Sequence, residues 1–159
     1  RKTRKINSVL AGEASAFFSL RLGVLACFDC RVVPLPNLEC VRDYFSWRQE
    51  DAHRNSLNAH CYCLLRREGM SPREATREIE GRTVAFKNEL LFSRNINFND
   101  LPNWQKRGVG LYYSSYEKKG YNPVKDETVT SIRSRLDVNM DLEIGQAYTD
   151  WVISLIPED

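Results

Sequence analysis

The stretch from Leu38 to Arg67 holds neither proline nor glycine, and it carries Arg48, Asp51, Asn55 and Asn58. At 100° per residue these four side chains fall within one arc of about 80° on a helix. Asn and Asp are poor helix formers because their side chains compete for backbone hydrogen bonds. A solvated helix face is usually written with Glu, Lys and Gln, so this stripe is read as a polar recognition surface. Arg31 and Arg48 have the forked donors that suit phosphate or carboxylate; for Arg48 the alternative is an i,i+3 pair with Asp51. Asn88 and Asn97 supply uncharged donors suited to phosphate or ribose. Asn97 and Asn99 would equally close Asx turns. Arg66, Arg67, Lys106 and Arg107, with the basic start Arg1–Lys5, are candidate contacts to a polyanion backbone.

The five cysteines raise a second chemistry. Cys27-Phe-Asp-Cys30 and Cys61-Tyr-Cys63, near His60, have the residue types of a zinc site. Their expected settings argue against it. Residues three apart on a strand point to opposite faces, and residues two apart on a helix diverge. Free thiols in a reducing compartment are the reading that remains.

The elements that must position these residues follow from periodicity and punctuation. Residues 3–22 repeat apolar side chains at helical spacing until Gly23. Residues 24–33, rich in β-formers and bounded by Gly23 and Pro34, read as a strand. The long helix then occupies 38–67, and Gly69 stops it. Ser71-Pro-Arg-Glu74 is a capping box with proline at the first helical position, so a short helix runs to Glu80-Gly81. Another helix covers about Thr83–Phe92, and 93–106 read as irregular. Residues 107–113 read as a strand, Glu117–Asp126 as a turn or flap, 128–136 as a returning strand, and 144–156 as a terminal helix. The class is α+β with helices in the majority.

Composition bounds the partners. One domain of 159 residues, 42% hydrophobic, can bury a core without a disulfide scaffold. No apolar run approaches the ~20 residues that span a bilayer, and no apolar segment follows the basic start as in a signal peptide. Those features point to a soluble, cytoplasmic protein. Residues 136–159 hold six acids and no Lys or Arg, which leaves 23 basic against 15 acidic groups in residues 1–135. That asymmetry fits a polyanion-binding body with an acidic tail segment.

The series Phe28-Asp-Cys-Arg31, Asp43-Tyr-Phe-Ser-Trp-Arg-Gln49, Asp51-x-His53-x-Asn55, Lys87-Asn-Glu89, Ile96-Asn97-Phe98-Asn99 and Lys106-Arg-Gly108 resembles the tRNA-His guanylyltransferase family and its shorter repair relatives. The likeness spans about residues 1–113. It implies a nucleotidyltransferase that adds nucleotides to the 5′ end of tRNA in the 3′-to-5′ direction, with GTP, ATP and Mg²⁺ as cofactors. Its partners would be tRNA, nucleoside triphosphates and further copies of itself in a homotetramer, with no membrane. The fold implied is a palm-like antiparallel sheet fragment with a helical, fingers-like subdomain. Residues 1–36 would be the end of the palm, 37–113 the helical subdomain with its binding loop, and 114–159 a flap, strand and helix.

The resemblance gives His53 and Lys87 catalytic places beside the triphosphate, and the basic residues Arg66, Arg67, Lys106 and Arg107 become candidate contacts to the tRNA backbone. It makes Arg31, Arg48, Asp51, Asn55, Asn58, Asn88 and Asn97 the nucleotide-binding set. The family's Asp-Gly strand and Ser-Asp-Glu turn, which hold metal, do not occur in this sequence. The ligands for Mg²⁺ are therefore expected outside this chain, which alone would be inactive, and a non-catalytic RNA-binding module is the alternative. An ideal helix sets His53 about 160° from Asn55, so the two either serve different ligands or one is structural. Lys87–Asn99 and the long helix are expected to form one cradle for phosphates.

Overall fold

The element order in the computed structural model, which describes residues 2–157, is α1 (Lys2–Leu22), α2 (Leu38–Arg67), α3 (Pro72–Ile79), α4 (Val84–Phe92), α5 (Asn103–Arg107), β1 (Gly110–Asn122), β2 (Glu127–Asn139) and α6 (Gln146–Ser154). A single 3₁₀ turn, Phe98–Asp100, precedes α5. Arg1, Glu158 and Asp159, assigned above to the basic start and the acidic tail, lie outside the described residues. No helix among those described is long and apolar enough to cross a membrane.

The chain divides into two compact units, residues 1–37 and 38–159. In the first, α1 is followed by extended backbone, and 24–33 form no strand. A strand needs a neighbour to take its amides and carbonyls, and serines of α1 take some of these instead. Ala26 N–H donates to Ser19 Oγ at 2.9 Å, Ser19 Oγ donates to Ala26 O at 3.2 Å, and Phe28 N–H donates to Ser15 Oγ at 2.9 Å. Phe28 packs on Phe18 with ring centroids 4.9 Å apart.

The second unit is built on α2. Leu57, Cys61 and Leu65 recur at i, i+4 and i+8 on one face and meet Ala75 and Ile79 of α3, Leu91 of α4 and Phe98 in the core. The capping box starts α3 as its sequence predicts, with Ser71 and Glu74 exchanging side-chain and backbone hydrogen bonds. Thr83 caps α4. Residues 93–106 are more regular than expected. Asn97 accepts from Asn99 N–H and donates to Asp100 Oδ2 at 2.8 Å, which closes the 3₁₀ turn; α5 follows and ends at Gly108, whose φ is 87°.

β1 and β2 form a two-stranded antiparallel sheet in continuous register, from Gly110 opposite Asn139 to Asn122 opposite Glu127. The first strand thus begins at 110, not 107, and runs through the segment read as a flap. The turn is confined to 123–126, where Asn122 Oδ1 accepts from Val124 N–H and Asp126 takes a φ of 54°. The sheet meets α6 at its base. Tyr112 packs edge-to-face on Trp151, with centroids 5.3 Å apart. A Cβ on Gly110 would stand 2.7 Å from the Trp151 ring, so only glycine allows this approach. An ion pair, Arg42–Asp150 at 2.6 Å, ties α6 to α2.

Candidate functional site

The apolar stripe of α2 turns toward the core, and just N-terminal to it the same face opens as a cleft of about 440 Å³. Its walls are Gln49, Glu50, His53, Arg54 and Leu57 of α2, Val84 at the start of α4, Arg107 at the end of α5, and Ile144 and Gly145 before α6. Three hydrogen bonds fix this frame. Gln49, nearly buried, donates to Glu143 O at 2.6 Å. Arg107 Nη1 donates to Leu142 O at 2.7 Å, and Ser56 Oγ donates to Gln105 O at 2.6 Å.

His53 stands on the Phe98 ring, edge-to-face at 5.3 Å, and His60 packs on the same ring at 5.7 Å. Phe98 is buried at 3% exposure, so the position of His53 depends on the turn that Asn97 closes. Lys106 is buried, with Nζ donating to Asn99 O at 2.6 Å. Partial burial, then the charges of Arg107 and Lys106, hold the His53 imidazole below its ordinary pKa. Arg107 joins no ion pair among the described residues, and its Nε is buried without a hydrogen-bond partner. A neutral imidazole beside two cations, neither ion-paired to a carboxylate among the described residues, makes a locally positive corner, although Glu50 contributes one acid to the opening. An anion placed there meets donors of both kinds and would draw a proton onto His53.

The other predicted residues are distributed differently. Arg48, Asp51 and Asn55 join one another on the opposite side of α2. Asp51 accepts from Arg54 and from Asn55 Nδ2 at 3.1 Å, and Arg48 lies 3.7 Å away. The i,i+3 alternative for Arg48 is therefore formed. Asn58 is half-buried, and its Oδ1 has no partner. Lys87 and Asn88 lie half-buried on α4 outside the cleft, where the Lys87 carbonyl accepts from the Cys61 thiol at 3.5 Å. Asn97 does the structural work of an Asx turn. Arg66 donates to Met70 O and so caps the end of α2, and Arg67 is exposed one residue on. Arg31 is exposed in the first unit. The structure thus brings His53, Lys106 and Arg107 together and leaves the Asp51 stripe outside the cleft, joined to its wall only through Arg54, so the single cradle expected of α2 and Lys87–Asn99 divides in two.

Gln49 and Phe98 were not among the residues chosen from sequence. The signal for Phe98 was its place between Asn97 and Asn99, an apolar anchor inside a turn. Trp47, in the middle of α2, is half exposed with the Arg48 guanidinium over its ring at 5.6 Å. The zinc alternative finds no support: Cys27, Cys30, Cys61 and Cys63 are free thiols, and burial pushes the Cys61 thiol up. No group of three or more His, Cys, Asp or Glu among the described residues is placed to hold a metal ion.

A mixed α+β unit with a largely apolar cleft, edged by charged groups, against the middle of its longest helix is the class defined by these features. The family model described as the Thg1 C terminal domain matches residues 39–150, and the chain belongs to that family. Among curated relatives, the probable tRNA(His) guanylyltransferase of Dictyostelium discoideum is 41% identical over 112 residues, covering 69% of this chain and 42% of that protein. The tRNA(His) guanylyltransferase of Candida glabrata is 43% identical over 86 residues, covering 53% of this chain and 36% of that one. A crystal structure of the Saccharomyces cerevisiae tRNA(His) guanylyltransferase superposes with a TM-score of 0.54 at 29% identity, over 66% of this chain and 52% of that chain. The chain spans less than half the length of these two curated relatives.

Proposed function

We propose that this chain is the C-terminal part of a nucleotidyltransferase that adds nucleotides to the 5′ end of tRNA in the 3′-to-5′ direction. In this reading the cleft holds nucleotide or 5′-end phosphates. The observation that carries the reading is the convergence of His53 with Arg107, a cation lacking a carboxylate partner, in one cleft. Arg107 and Lys106 attract the phosphates, and His53, neutral before binding, takes a proton as the anion arrives. The Arg48, Asp51, Asn55 and Asn58 stripe, facing elsewhere, serves a second ligand, and tRNA is the one that fits its mixed donors. Arg31, Arg66 and Arg67 add backbone contacts that position the RNA without reading it, while Lys87 and Asn88 line its approach along α4.

Mg²⁺ chemistry is not assigned to this chain: no group of three or more His, Cys, Asp or Glu among its described residues is placed to hold a metal ion. The carboxylates for such a metal would come from polypeptide outside these 159 residues.

The test is a binding titration with GTP, ATP and tRNA at several salt concentrations. Arg107→Gln removes a charge-assisted contact and is expected to weaken triphosphate binding by about 10- to 100-fold. Equal affinity of the wild-type chain and the variant would refute the cleft as a phosphate site. A salt-independent tRNA affinity would remove the RNA reading.

A further inference from the structure

Counting back by fours from the buried Leu57 of α2 leads through His53 to Gln49, which is only 8% exposed. Side chains four apart lie on one helix face, so a carboxamide stands where the stripe would otherwise hold an apolar group. Burying an amide costs stability unless it is hydrogen-bonded, and the partner of this one is far along the chain. Gln49 Nε2 donates to Glu143 O at 2.6 Å, in the strap of residues 140–145 that joins β2 to α6. The neighbouring carbonyl of the same strap, Leu142 O, accepts from Arg107 Nη1 at 2.7 Å. Two consecutive carbonyls are thus taken by two side chains that line one cleft.

We infer that Gln49 is a positioning residue: by holding Glu143 O it fixes the strap, and the strap in turn aims the Arg107 guanidinium into the cleft. The inference rests on the phosphate reading of that cleft. The peptide between Leu142 and Glu143 is a rigid plane, and both of its flanks are anchored. On one side the Leu142 side chain is buried at 4% exposure; on the other Gln49 holds the Glu143 carbonyl. Beyond it, Thr149 N–H donates to Gly145 O at 3.2 Å and ties the strap to α6. Leu142 O therefore keeps one direction, toward Arg107. That carbonyl is the one hydrogen-bond partner of the guanidinium among the described residues. Released from it, Arg107 is free to turn toward Glu50, which lines the same cleft, and pairing there would cancel the charge an anion needs.

The experiment is a double-mutant cycle read by calorimetric titration of the 159-residue chain with inorganic triphosphate. Gln49→Met keeps the length of the side chain and removes its donor, and is expected to weaken binding about tenfold. Arg107→Gln is expected to weaken it about 10- to 100-fold. Because Gln49 acts through Arg107, the double variant should bind no more weakly than Arg107→Gln alone. Losses that multiply in the double variant, or a Gln49→Met chain with wild-type affinity, overturn the inference. Circular dichroism checks that each variant is folded, and Gln49→Glu provides a second route should the methionine variant not fold. A neutral carboxyl can donate to Glu143 O and a carboxylate cannot, so the affinity of Gln49→Glu relative to wild type should fall as pH rises through the carboxyl's pKa, which burial raises. A ratio that stays constant between about pH 4 and 8 counts against the positioning role. Arg107→Gln binding as tightly as wild type would refute the phosphate reading and this inference with it, whereas a weakened Arg107→Gln beside an unaffected Gln49→Met refutes this inference alone.

Discussion

Removing the Phe98 ring tests the link between the loop and the cleft. Phe98 is 3% exposed, supports His53 and His60 by edge contacts, and stands within the core of Leu57, Cys61 and Leu91. Truncating a buried Phe to Ala costs about 3–5 kcal/mol, and two aromatic contacts place this site toward the upper end. Against a typical stability of about 5–15 kcal/mol, that is a large fraction. With a urea slope of about 1–3 kcal/mol/M, Phe98→Ala should lower the denaturation midpoint by roughly 1–5 M. Phe98→Leu keeps the apolar volume but not the ring, and should recover most of the loss. The assay is urea unfolding followed by tryptophan fluorescence and circular dichroism together, whose coincidence checks two-state behaviour. A loss below about 1 kcal/mol for Phe98→Ala would mean that the turn is not anchored through this ring, and the positioning argument for His53 would fall.

Two further outcomes follow from the same geometry. His53 titrates lower in the folded protein than in the unfolded chain, so its contribution to stability is complete above the unfolded value of about 6.5 and is lost as pH falls through the lower folded value. Urea midpoints at a series of pH values should therefore decline on acidification below about 6.5, and His53→Gln should remove its share of that decline; an unchanged pH profile in the variant would contradict it. Gly110→Ala pushes a methyl to 2.7 Å from the Trp151 ring and 3.1 Å from Leu142, with an expected cost of about 1–3 kcal/mol and a shifted Trp151 emission, whereas a thermally silent substitution would mean that α6 is free to move.

The helices of the second unit were legible because their signals are local. The capping box at Ser71, the glycine after Arg67 and the proline-free run of α2 each act within one or two turns. The strand expected at 24–33 failed for the opposite reason. Its β-formers describe a preference that a partner must complete, and among the described residues none does. The flap failed because Gly120 and Asn122 look like turn residues, while the cross-strand pairing of thirteen rungs overrides them. At the site, the 160° separation of His53 and Asn55 on a helix was visible in advance, and the structure shows its consequence as two separate faces. Which residue types gather around His53 was not visible, because Arg107 and Gly145 arrive from elements far along the chain.

The cluster around Asp51 gives α2 another property. Its carboxylate sits between the guanidiniums of Arg48 and Arg54. Exposed ion pairs of this kind are each worth only about 0–1 kcal/mol, so the cluster can rearrange without disturbing the helix beneath. Asp51 therefore orders two long basic side chains on one flank of α2 while adding little to its stability.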